Sequence, residues 1–151
     1  MKEVYYIYNN EAIASCILLS ILQEMKSIDI PCSCLILPFL MDDQTVTYLS
    51  RIQPSEIDLV QLINDRPRLF TSFNKRYLAL LPIAINSLIL LRKSNQIVIE
   101  TNISINGNIH ISSDIDFGER YQKISRVLPS FMKIIEKYST LELYKILNIQ
   151  L

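Results

Sequence analysis

His110 is the one histidine of the chain, and Ser112 and Ser113 follow it closely, so the residue types of nucleophilic catalysis are at least present. A serine nucleophile needs a base within hydrogen-bond reach and a third group that orients the base. Nothing in the spacing marks either serine as activated, and His110 is expected on a β-ribbon facing water. Asp42-Asp43 and the pair Asp114 and Asp116 could coordinate Mg²⁺ through oxygen, although short acidic pairs more commonly form turns and cap helices. Cys32 and Cys34 could touch a metal, but no second Cys or His pair completes a tetrahedral set. With only two glycines, Gly107 and Gly118, a Gly-rich phosphate loop or dinucleotide fingerprint cannot be built. No catalytic, cofactor-binding or metal-ligating residue is assigned, and the chain is expected not to be an enzyme.

The elements that would carry these residues are mostly helical. Hydrophobic residues make up 50% of the chain and charged ones 20%, a balance that excludes disorder and supplies a sizeable core. Val4 to Tyr8 suits an edge strand or an extended arm. Asn9 and Asn10 are good N-caps for a helix from about Glu11 to Lys26, apolar on nearly every side and hence buried. Cys34 to Met41 is a continuous apolar run whose period does not separate strand from helix; Pro38 argues for a short, kinked helix. Ser55 with Asp58 resembles a capping box opening a helix to about Asn64. Pro67 suits the first turn of a helix to about Leu80, and Pro82 starts another, ending near Lys93.

Isoleucines at 97, 99, 103, 105, 109 and 111 then alternate as in a ribbon. One-sided burial favours a three-residue loop, Asn106 to Asn108, that pairs Ile105 with Ile109 and Ile103 with Ile111, with Gly107 or Asn108 left-handed. A further turn at Glu100-Thr101-Asn102 would pair Ile99 with Ile103, giving a three-stranded meander. Glu119 to Tyr138 is the cleanest amphipathic helix, with Pro129 and Ser130 on its polar face; Thr140 can cap a last helix, Leu141 to Leu147. The reading is therefore mainly α with a small β-ribbon (α+β). One domain, 1–151, comprises a helical N-terminal part (9–65), a winged helix-turn-helix-like core (66–112) and C-terminal helices (117–148).

Charge is uneven beneath a net of zero. Residues 66–99 hold six bases and no acid: Arg66, Arg68, Lys75, Arg76, Arg92 and Lys93, the candidates for nucleic-acid contact. A groove-reading helix needs polar and basic side chains outward. On a helical wheel begun at Pro82, the inward residues are Ala84, Ile85, Leu88, Ile89 and Leu91. Ile83, Asn86, Ser87, Leu90 and Lys93 point out. That face suits a protein better than base edges, which makes Ile83, Asn86, Leu90 and Lys93 the candidate partner contacts. The longest apolar run, Tyr77 to Leu91, is broken by Pro82, Asn86 and Ser87 and is shorter than the ~20 residues of a membrane helix. The three cysteines read as reduced thiols of a cytoplasmic protein.

Four segments carry a family resemblance. Asn10-Glu11-Ala12-Ile13-Ala14 is similar to an Asn-Pro-Ala helix start, and Leu35-Ile36-Leu37-Pro38 to an apolar run ending in Leu-Pro. Arg66 to Leu91 resembles a helix pair with proline at its join. Leu143-Tyr144-Lys145-Ile146-Leu147-Asn148-Ile149 resembles a C-terminal Ile-Tyr-x-Leu-Leu-Gly-Val. In that order they resemble the middle component of bacterial three-component ABC systems, including the small accessory subunit of Lamassu complexes. Glu11 in place of proline, Asp42-Asp43 in place of a His-Lys pair and Asn148 in place of glycine depart from the pattern. The resemblance implies a non-catalytic adaptor between an SMC-like ABC ATPase and an effector, often a nuclease, in anti-phage or anti-plasmid defence. DNA would then be met through the complex. The alternative from the basic segment is a DNA-binding winged-helix regulator.

Overall fold

The computed structural model describes residues 10–107 and 117–150. Val4 to Tyr8, the expected return strand at Ile109 and Ile111, and His110, Ser112, Ser113, Asp114 and Asp116 lie outside the described residues. Seven α-helices and three short strands are described: α1 (Glu11–Met25), β1 (Ser27–Asp29), α2 (Ile30–Leu40), α3 (Asp43–Leu49), α4 (Leu59–Asp65), α5 (Phe73–Lys93), β2 (Ile97–Ile99), β3 (Asn102–Ile105), α6 (Glu119–Lys137) and α7 (Thr140–Ile146). The fold is mainly helical with a small antiparallel sheet, as expected.

Local chemistry accounts for the boundaries. Asn10 Oδ1 accepts from the Ala12 and Ile13 amides at 3.0 and 3.3 Å and starts α1. Asp29 Oδ1 accepts from the Cys32 amide at 2.7 Å, with Pro31 in the first turn, so α2 begins earlier than the expected Cys34. Asp42 caps α3 through the Thr45 amide and hydroxyl. Asp58, rather than Ser55, caps the helix that follows; Pro54–Glu56 is a 3-10 turn. Ser139, rather than Thr140, caps α7, forming a capping box with Glu142. After α7 the chain closes in a Schellman motif. The Asn148 amide donates to Lys145 O and that of Ile149 to Tyr144 O, both at 3.1 Å, with Asn148 at φ 55°. Asparagine is the residue after glycine that best tolerates this left-handed conformation, which is why it can stand where the resemblance has glycine.

The helix pair expected at Leu81-Pro82 is instead one helix, α5, with Pro82 inside it. Tyr77, Leu80, Ile83, Ala84, Ser87, Leu88 and Leu91 form one buried stripe running past the proline. Pro82 itself is exposed, as is Leu78, whose carbonyl loses its partner, so the bond missing at Pro82 falls on the side where water can replace it. Without a turn there is no helix-turn-helix at this site.

The core is organised on α2, in which every residue from Cys32 to Leu40 is buried. α5 packs along it, α1 lies against α5 and α6, and α3 against α6. Phe39 joins three elements: its ring centroid is 4.9 Å from Phe73, 5.4 Å from Phe131 and 6.0 Å from Phe70. The sheet has the order β1-β3-β2. β2 and β3 pair Ile99 with Ile103 and Ile97 with Ile105, the expected register of the turn through Glu100-Thr101. The other edge of β3 is held by β1, with Ile28 opposite Ile103. That is the edge which the expected Ile103–Ile111 pairing would need. Gly107 is left-handed, at φ 71°. Of the face of α6 expected to be polar, Pro129 is exposed but Ser130 is buried, at 3%.

Candidate interaction surface

Turning α5 into a single helix changes which residues it shows to water. Phe73, Tyr77 and Leu80, which precede Pro82 in the same helix, fix the register of its buried side. Ile83, expected outward, is 6% exposed and belongs to the core, and Ser87 is fully buried. Ile85 and Ile89, expected inward, are 45% and 44% exposed; Leu78 is 46% and Leu90 53% exposed. Asn86 and Lys93 are exposed as expected, and Asn86 Nδ2 donates to Glu11 Oε1 at 3.3 Å. The outward face of α5 thus carries Leu78, Pro82, Ile85 and Ile89 in line, with Leu90 to one side. Such a run of aliphatic side chains along one exposed face is the kind of surface that marks an interaction site.

The bases of the segment do not gather into a patch. Arg66 and Arg68 lie in the link before α5, Lys75 in its first turn, and Arg92 and Lys93 in its last. A helical rise of 1.5 Å per residue sets the two ends of α5 roughly 25 Å apart. Arg66 is stacked over Tyr48, with its guanidinium 4.9 Å from the ring centroid. Arg76 is structural. Its Nε donates to Pro38 O at 3.2 Å, one terminal nitrogen to Leu69 O at 3.0 Å and the other to Ser72 Oγ at 3.2 Å, and Asp42 stands 3.9 Å away. On the other side of α2, Arg120 donates to Met41 O at 3.0 Å and pairs with Asp43 at 3.5 Å. Two guanidinium groups therefore satisfy carbonyls at the C-terminal end of the buried helix, where positive charge also meets the negative end of its dipole. Sequence reading could not find this role, because it depends on where α5 and α6 cross α2. A second row of exposed bases, Lys123, Arg126, Lys133 and Lys137, runs along the polar face of α6.

The remaining polar clusters hold elements together. Asp42 and Asp43, considered above as a cation pair, are occupied by capping and by the two arginines. Among the described residues there is no group of three or more His, Cys, Asp or Glu that could hold a metal ion. Cys32 and Cys34 are buried and Cys16 is half-buried, all three as free thiols. Burial, reinforced by nearby Asp29, pushes the Cys32 thiol up to about 11. Thr140 Oγ1 donates to Asp29 Oδ2 at 2.6 Å, so Asp29 joins the starts of α2 and α7. Tyr144 donates to Pro31 O at 2.7 Å, which leaves Tyr77 to donate to the Tyr144 oxygen at 3.1 Å. Tyr121 donates to Ser20 Oγ, whose own proton goes to Cys16 O. A cleft of about 250 Å³ between α3 and α6 is lined by Asp43, Thr47, Glu119, Arg120 and Lys123, charges of both signs.

Asp58 Oδ1 accepts from Lys137 Nζ and from the Tyr138 hydroxyl, each at 2.6 Å. These two bonds, Lys137 first, hold its carboxyl below the usual carboxylate range. A depressed acid stabilises the fold above its unfolded pKa, about 4, and that contribution is lost as pH falls through the lower folded value. Acid unfolding followed by circular dichroism is therefore expected to be less steep below about pH 4 in Asp58→Asn than in the parent chain. An unchanged profile would show that the cluster contributes nothing.

Among the described residues no helix is long and apolar enough to cross a membrane. Neither the curated proteins nor the solved structures contain a match to the chain. A family model does match, over residues 2–151, and its description is ABC-three component (ABC-3C) system Middle Component 3. By that match, which spans all of the elements built above, the chain belongs to the Middle Component 3 family of ABC-three component systems.

Proposed function

We propose that this chain is a non-catalytic adaptor. It would link an SMC-like ABC ATPase to an effector, often a nuclease, in a cytoplasmic complex of anti-phage or anti-plasmid defence. The observation that carries the reading is the exposed aliphatic face of α5 on a chain whose family name already implies partner components. Leu90, Asn86 and Lys93 stay in the proposed contact; Ile85 and Ile89 take the place of Ile83, which is buried. Protein interfaces are built on such apolar centres with a polar rim. The absence of a Gly-rich phosphate loop supports drawing any ATP chemistry from a partner.

The test is co-expression with the proteins encoded beside it, followed by affinity purification and size-exclusion chromatography. A stable complex containing an ATPase and an effector is expected. The isolated chain should turn over no ATP, and any DNA binding should be weak and fade with salt, given the few scattered bases. Nanomolar, sequence-specific DNA binding at physiological salt by a chain that joins no partner would favour the regulator instead.

A further inference from the structure

We infer that the α5 face receives a single amphipathic helix, acidic toward its two ends, from another component of the complex. The inference rests on the adaptor reading and names the chemistry of the partner. Leu78, Pro82, Ile85 and Ile89 are separated by four, three and four residues. That is the spacing of a coiled-coil seam, which is narrower than the apolar face of a helix buried in a core. A seam of this width, running roughly 16 Å at 1.5 Å per residue, is covered by one helix of three or four turns. A sheet edge or a loop would not follow its period, and the seam's own strip of helix has its backbone hydrogen bonds closed, apart from the carbonyl opposite Pro82.

Charge identifies the occupant. Lys75 stands at one end of the seam and Arg92 and Lys93 at the other, all exposed, and residues 66–99 contain no acid. A second copy of this chain would be repelled in either direction. Parallel, Lys75 meets Lys75 and Lys93 meets Lys93; antiparallel, Lys75 meets Arg92 and Lys93. Like charges set against each other in this way disfavour self-pairing, as charges at coiled-coil flanks do. Glu11, hydrogen-bonded to Asn86, puts one acid near the middle of the seam, and among the described residues neither basic end forms a salt bridge. A helix with aliphatic residues at the same spacing and Asp or Glu toward its two ends meets every one of these features.

The experiment uses the complete complex, purified with the components encoded beside this chain. A photo-crosslinking residue at position 89 is expected to link to an acidic helical segment of a partner. The double variant Ile85→Glu, Ile89→Glu should weaken assembly at least about 100-fold. Lys75→Glu, Arg92→Glu, Lys93→Glu should weaken it about 10-fold at low salt, and less as salt rises. The circular dichroism and melting temperature of each isolated variant should match the parent. If the double glutamate variant does not fold, Ile85→Thr, Ile89→Thr removes the aliphatic surface without charge and should still weaken assembly. Undiminished assembly of folded seam variants, or a cross-link to a second copy of the chain or to a basic segment, overturns this inference and leaves the adaptor reading standing. Failure of the parent chain to form any complex overturns both.

Discussion

Phe39→Ala is expected to lower the stability of the fold by about 3–5 kcal/mol, the range for emptying a buried phenylalanine site. Its ring is fully buried and sits among Phe70, Phe73 and Phe131, nearly edge-on to Phe70 and Phe73. Edge-on contacts of this kind add to what burial alone supplies. α2, α5 and α6 all lose a shared neighbour, and helices fixed at both sides of the gap cannot close it. Against a typical total of about 5–15 kcal/mol, a loss of this size is a large fraction of what holds the fold together. Urea unfolding checks it. Phe39→Leu, which keeps most of the volume, is expected to cost clearly less. Equal costs for the two variants would mean that the site collapses around alanine and the ring cluster is not the centre of the core.

Arg76→Ala is expected to cost about 2–4 kcal/mol, since hydrogen bonds from charged groups contribute about 1.5–3 kcal/mol and two carbonyls lose their donor. The side chain is 16% exposed and spans Pro38 O, Leu69 O and Ser72 Oγ. Asp42, at 3.9 Å, is a minor contributor by comparison. Arg76→Lys keeps the charge but cannot hold three directions at once, so it should recover only part of the loss. Thermal melts of the three proteins decide the matter. A change within about 0.5 kcal/mol, the usual range for surface positions, would return Arg76 to the pool of free bases from which nucleic-acid contacts are drawn.

What could be read from the sequence was whatever local chemistry settles. Asn10 names its own helix start, the isoleucines of β2 and β3 name their register, and the stripe of α6 names its buried side. Pro82 misled because its local preference for a first turn was outweighed by a tertiary stripe that continues past it. The error spread to Ile83, Ile85 and Ile89, whose orientation depends on counting from Phe73. β1 has no sequence signature at all; three residues become a strand because β3 offers a free edge. Arg76 and Arg120 looked like surface charge, and only the crossing of helices over the end of α2 gives them carbonyls to hold. For the family, order and spacing over the chain carried as far as the middle component of ABC systems. The match stops there and does not reach the narrower Lamassu-type subunit; Glu11 and Asn148 are positions at which the chain departs from the pattern of the resemblance.

The central place of β3 has a consequence for how the chain is made. β1 leaves the ribosome early, but its sole partner strand among the described residues, β3, follows only after α2 to β2 have been synthesised. Until then Ile28 has no strand beside it, and α1 lacks one of the surfaces it packs on. The helices and the β2–β3 hairpin close over short chain distances and can form first, while the β1–β3 pairing needs a long loop to shut and comes late. During synthesis the N-terminal helices are therefore a waiting, partly open unit, and a nascent chain stalled before Asn102 leaves Ile28 and part of α1 open to aggregation and to proteases.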